Sequence, residues 1–208
     1  MTQYKLTEET KEYKGITLHR IELNQDCKWG KKGDKGGWIQ SEKNLSEDAW
    51  IGGEACVYGN AKVYGNANIY GDAWVCGNAQ VYGNAHVYGN AKVSGDAQVY
   101  GYAIVSGDAI VYGDAWVYGD AIVYGDAWVY GNAQIYGDAH VFDNVRIDGG
   151  KWDTEPLYLN IPNGPTMNMS EPGILRIGNE HKSINDWLKD ETYQYRSFVW
   201  WFAEYYGL

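Results

Sequence analysis

The stretch AWVYGDAIVYGDAWVYGNAQIYGDAHV, residues 115–141, repeats one six-residue unit: alanine, a variable residue, valine or isoleucine, tyrosine, glycine, then asparagine or aspartate. The unit continues outward in both directions. Ala occupies every sixth position from Ala49 to Ala139 without a miss. A Val or Ile sits two places after each Ala and on to Ile147, and Gly fills every sixth position from Gly53 to Gly137. Ile39 and Leu45 carry the aliphatic phase backwards. A fixed internal period of this kind dictates architecture before any local propensity does.

Within a unit, Ala-x-Val-Tyr alternates between two sides, which is a short strand. Gly-Asn/Asp then makes a corner, because Gly accepts positive φ freely and Asn or Asp tolerates it. Ala fits inside a corner and Val fills the interior of a flat side. Three sides close a triangular coil of about 18 residues, and coils stack by parallel β pairing roughly 4.8 Å apart. Residues 49–148 therefore predict an all-β solenoid roughly 27 Å long. An antiparallel fold would need turns of varying length, and these do not vary.

Residues 1–48 read as an N-terminal β cap and 149–208 as a C-terminal segment of small strands and helix, as open solenoid ends require. Tyr13–Leu18 and Arg20–Leu23 read as strand material. Residues 151–177 hold Pro156, Pro162, Pro165 and Pro172 and read as short strands with turns at Asn163-Gly164 and Pro172-Gly173. Ser183, with Asp186 three residues on, resembles a capping box and predicts a helix start. The helix is expected to break near Thr192-Tyr193 and resume through Phe198–Phe202, an apolar run that must be buried against something.

The chain carries 17 basic and 27 acidic residues, net −10. The repeat holds ten of the acids and three of the bases. That balance disfavours nucleic-acid partners, which are gripped through their phosphates, and anionic membrane surfaces. No apolar run is long enough to span a bilayer, Met1–Lys14 does not read as a signal peptide, and three cysteines are too few for a secreted disulfide framework. A cytoplasmic protein is expected. Cys56 and Cys76 share a face but are offset along it, so no disulfide between them is expected.

Folding the repeat at 18 residues stacks Tyr64, Tyr82, Tyr100, Tyr118 and Tyr136 in one column. Stacked aromatics stabilise a strand surface and also offer a platform for a ligand or partner. These tyrosines, with the outward-facing Trp74 and His86, are the candidate binding residues. The outward variable position turns apolar at Ile104, Ile110, Trp116, Ile122 and Trp128, spread over all three faces. Such a band predicts a covered surface, either under the C-terminal helix or under a second copy. A homodimer or homotrimer is expected through these residues or through Trp200, Trp201 and Phe202. Asp108 and Asp126, Asp96 and Asp114, and Asp120 and Asp138 stack one coil apart, either because Asp suits a corner or because they hold a cation.

The repeat resembles the hexapeptide-repeat family, whose members fold as left-handed parallel β-helices. The leader Lys31-Lys32-Gly33-Asp34-Lys35-Gly36-Gly37-Trp38-Ile39 with Asn44-Leu45-Ser46, and the ending Ile177-Gly178-Asn179-Glu180-His181 with Ile184 and Trp187-Leu188, are similar to those of a group of such proteins from bacteriophages, prophages and Gram-positive bacteria. The resemblance also implies enzymes to test for. Acyltransferases of the family use a His, often with an inserted loop, between subunits of a trimer; here the Ala phase never slips, so there is no insertion. The family's carbonic anhydrases hold zinc on three histidines. His86 and His140 share a face but lie three coils apart, roughly 14 Å, so one metal cannot bridge them within a chain. His19 and His181 read as isolated. No phosphate loop, Gly-x-Ser-x-Gly or zinc cysteine pattern occurs. No metal, cofactor or catalytic residue is therefore assigned. The leading expectation is a non-enzymatic, phage- or prophage-type binding protein, a rigid oligomeric rod that sequesters a small molecule or blocks a host defence protein in the host cytoplasm. An acyltransferase-type enzyme with an inter-subunit site and an acidic DNA mimic are the alternatives.

Overall fold

A computed structural model describes residues 3–156, 158–161, 164–190 and 194–206. The expected turn residue Asn163 and the expected helix break at Thr192-Tyr193 lie outside the described residues. The solenoid is formed by two-residue rungs in three parallel sheets. One sheet stacks Trp50–Ile51, Asn68–Ile69, His86–Val87, Ile104–Val105, Ile122–Val123 and His140–Val141. A second runs from Lys62–Val63 through Gln80, Gln98, Trp116 and Gln134 to Lys151–Trp152. The third carries, in register, Trp38, Cys56, Trp74, Lys92, Ile110, Trp128 and Arg146 on its outer side.

The interior is the predicted one. Every Ala of the repeat and the Val or Ile two places after it, from Ala49 to Ile147, is fully buried. Each buried aliphatic side chain contributes roughly 1.5–3 kcal/mol, and each coil touches only its neighbours, so stability accumulates coil by coil. The corners hold Gly at φ near +70°, and a Cβ on Gly65 would stand 2.9 Å from the backbone N of Gly83 one coil on. Glycine is required there both for the dihedral and for the close stacking of backbones. At the ends of the repeat Glu47 (φ 58°) and Asp143 (φ 52°) continue the corner conformation without it.

Pairing extends beyond the repeat at both ends. Strand β3 (Lys35–Ile39) already pairs in parallel with the Cys56–Val57 rung. The last rung, Lys151–Trp152, stands opposite Gln134–Ile135, one residue short of the regular spacing. The paired glycines of the leader have a packing role: a Cβ on Gly36 would strike Ile21 and the Ile51 carbonyl at 2.6 Å, and one on Gly37 would strike the side chain of Ile51 at 2.5 Å. Strands β1 (Tyr4–Tyr13) and β2 (Ile16–Leu23) add antiparallel to β3 and cover the open sheet edge. The strand material expected over Tyr13–Leu18 is strand except at its turn. Tyr13 pairs with Ile16, and Lys14-Gly15 is a two-residue hairpin loop with both φ positive, the geometry whose twist matches the strands it joins.

At the far end four antiparallel strands (Tyr158–Asn160, Thr166–Glu171, Ile174–Ile177, Glu180–Ser183) lead into helix α1 (Ile184–Lys189). Ser183 caps it as expected, its Oγ accepting from the Asp186 amide at 3.1 Å. Helix α2 (Arg196–Tyr206) buries Val199 and Phe202 in the chain's own core and leaves Trp200 and Trp201 exposed. Within one chain α2 turns one face to the cap and the other outward, so of the covers expected for this run only a second chain is left for these two tryptophans. No helix among the described residues is long and apolar enough to cross a membrane.

Candidate functional site: an aromatic cleft under the hairpin tip

The hairpin β1–β2 does more than extend a sheet. It folds against the outer side of the third sheet, where Leu18, Trp38 and Cys56 form a buried cluster of their own, flanked by Tyr13, Ile16, Tyr58 and Trp74. Trp38 anchors the contact. Lys11 and Arg20 sit over its ring at 4.5 and 4.7 Å, and its indole N–H donates to Glu54 Oε2 at 2.8 Å. Arg20 Nη1 donates to the other oxygen of Glu54 at 2.8 Å and to the Gly53 carbonyl at 3.1 Å. The Trp38 and Arg20 hydrogen bonds hold the Glu54 carboxyl below its ordinary pKa. The hairpin is thus fixed to a corner of the rod by charge-assisted hydrogen bonds.

Beyond that anchor the hairpin tip overhangs the rod and makes a cleft of about 370 Å³. Tyr13 meets Trp74 edge-on with centroids 4.2 Å apart, and Tyr58 meets Trp74 edge-on at 5.9 Å. Cys76 and Ser94 continue the wall, and Lys14 and Lys92 complete the lining. Lys14 has φ 50°, a conformation that Gly or Asn adopts more readily. The hairpin nevertheless places a cation there, 5.4 Å from the Tyr13 ring centre. Burial, and then the contact with Cys76, raises the pKa of the Tyr58 hydroxyl, so it stays neutral. Burial likewise raises the Cys56 thiol and keeps it unreactive. No His, Asp or Glu lines the cleft. The arrangement suits holding a flat apolar group against aromatic rings while a lysine meets an anionic substituent.

The other expected binding residues lie elsewhere. Tyr64, Tyr82, Tyr100, Tyr118 and Tyr136 form the expected column, with successive centroids 4.8, 4.9, 5.0 and 5.3 Å apart and planes within 10° of parallel. Their faces are taken up by one another, so the column offers ring edges and hydroxyls. The hydroxyls of Tyr64 and Tyr82 donate to Gln80 and Gln98 of the next coil. His86 lies on a third face between Asn68 and Ile104, apart from Trp74. Of the expected set, only Trp74 lines the cleft. Tyr13 and Lys14 were missed because the landing place of a hairpin tip leaves no periodic signal; the vertical neighbours Tyr58, Cys76, Ser94 and Lys92 follow from the 18-residue fold alone.

The apolar band lies as the fold requires, with Ile104 beside Ile122, Ile110 beside Trp128, and Trp116 between Gln98 and Gln134. Trp116 is 38 % exposed. Two of the stacked aspartates accept from asparagines one coil away: Asn60 donates to Asn78, Asn78 to Asp96, and Asn90 to Asp108, at 2.8–3.0 Å. No group of three metal-ligating side chains occurs among the described residues, and the three cysteines are free.

Residues 79–95, 97–113 and 115–131 each match the family model of the YdcK beta solenoid repeat. The repeat is a β-solenoid repeat. The three matches begin at Ala79, Ala97 and Ala115, one per coil of the second sheet. No curated protein was found to match the chain.

Proposed function

We propose that the protein is a binding protein, not an enzyme, and that it holds a small molecule with a flat apolar part and an anionic group in the cleft under the hairpin tip. The observation that carries this reading is the edge-on seating of Tyr13 on Trp74 between Lys14 and Lys92. It builds an aromatic recess with two cations on a chain of net charge −10. A rigid rod supports such a recess well, because its wall residues sit on paired rungs whose positions cost little further ordering on binding. The similarity of the leader and ending to phage and prophage proteins supports a role in sequestering a host metabolite or blocking a host defence factor.

We further propose that the rod self-associates. Trp116 is exposed, large apolar side chains occupy all three faces within two coils, and Trp200 and Trp201 protrude from α2. A second copy of the chain would meet this band with the same apolar band, and burial of several large side chains at roughly 1.5–3 kcal/mol each outweighs the repulsion between two acidic rods.

Calorimetric titration with indole-3-acetate and with adenosine monophosphate tests the cleft. Binding of either probe, weakened about tenfold or more by Trp74→Ala and by Lys92→Ala, is the expected result. Absence of binding by both probes at millimolar concentration, or unchanged affinity in the two variants, refutes the assignment.

A further inference from the structure

We infer that the junction between the last full coil and the C-terminal sheet is a binding site for a small oxyanion, a phosphate or a carboxylate. A cleft of about 210 Å³ opens there, and two arginines, Arg146 and Arg176, are among its lining residues. Asn144, Asn168, Thr166 and Asn179 supply the rest of its polar lining, and no carboxylate lines it.

The two arginines are held differently. Arg176 is 8 % exposed and is fixed by Asp148 Oδ2 at 3.2 Å and by the Tyr130 hydroxyl at 2.9 Å, while its Nε is buried with no partner. Asp148 therefore neutralises one guanidinium. Arg146 makes no ion pair among the described residues. Its guanidinium carbon lies 4.8 Å from the centre of the Trp128 ring, a contact that restrains the side chain but leaves its charge without a carboxylate partner. Asn168, 2 % exposed, donates to the Arg146 carbonyl at 2.9 Å and so ties the C-terminal sheet to the rung that carries this arginine.

The corner beside the cleft supports the same reading. Asp108 and Asp126 occupy the corner positions below, whereas the position that borders the cleft is Asn144. An amide can donate to an oxyanion where a carboxylate would repel it. Pre-oriented guanidinium planes match oxyanions with two parallel N–H···O bonds. The site is at the opposite end of the third sheet from the hairpin cleft and shares no residue with it.

Titration with inorganic phosphate, and separately with sodium acetate, at low and constant ionic strength tests the inference on the full chain. Binding of at least one is expected, weakened about tenfold or more by Arg146→Gln and less by Arg146→Lys, with the circular dichroism spectrum unchanged. Whichever anion binds identifies the preferred group. Lys92→Ala should leave this affinity unchanged, which separates the site from the hairpin cleft. No binding of either anion at millimolar concentration, equal affinity in Arg146→Gln, or a loss caused by Lys92→Ala in its place would overturn the assignment.

Discussion

Tyr13, at the tip of the N-terminal hairpin, seats its ring edge-on against Trp74 of the rod with centroids 4.2 Å apart. The contact joins the cap to the second full coil and makes a cleft out of an otherwise convex surface. An aromatic pair of this geometry is worth about 0.5–1.5 kcal/mol beyond the area it buries. Tyr13→Ala should therefore free the hairpin tip without melting the rod. Hydrogen exchange is expected to speed up at residues 12–17 and to stay slow in the rungs. Equal acceleration in the rungs would show that the tip and the solenoid unfold as one unit.

The corner glycines make a sharper prediction. Gly65→Ala must carry φ near +70° and a Cβ within 2.9 Å of the Gly83 amide nitrogen. The dihedral alone costs roughly 1–2 kcal/mol, and the backbone contact adds to it. A clear drop in denaturation midpoint relative to wild type is expected. An exposed control on the same coil, Lys62→Ala, should change stability by less than about 0.5 kcal/mol.

Self-association is checked by light scattering. The wild-type protein is expected to run as a dimer or trimer. Trp116→Asp and Trp128→Asp should lower its mass while keeping the β spectrum, since both side chains point outward from rungs whose Val117 and Val129 remain buried. A monomeric wild type, or variants of unchanged mass, removes the apolar band as an interface.

Alkaline pH should destabilise the fold. Burial raises the pKa of Tyr4 to about 12, with Glu42 adding to it, and burial also raises Tyr64, Tyr82 and Tyr100. Above about pH 10 the unfolded chain has lost phenolic protons that the folded chain still binds, so stability falls as pH rises. The stabilisation is fully present below pH 10 and is lost as pH passes through the folded-state values, about 12 for Tyr4. Absorbance at the phenolate band should show these tyrosines ionising later than free tyrosine, together with loss of structure. Early ionisation in the intact fold would contradict their shielding.

The sequence by itself determined the rod. A six-residue period with Ala and Val inside, Gly at the corner and Tyr outside allows one register, because a slip of one residue would put every Val in water and every Tyr in the core. The stacked Tyr64–Tyr136 column, the apolar band, the distance between His86 and His140 and the neighbours of Trp74 were all legible from that register. The tertiary structure alone decided where the non-repeating segments land. Lys14-Gly15 turns the chain so that Tyr13 reaches Trp74, Arg176 reaches across to Asp148 and Tyr130, and α2 splits its aromatic run between core and solvent. Both clefts form where a cap meets the rod. Such contacts depend on the path of irregular chain and on pairings between distant residues, for which a local periodic pattern carries no information.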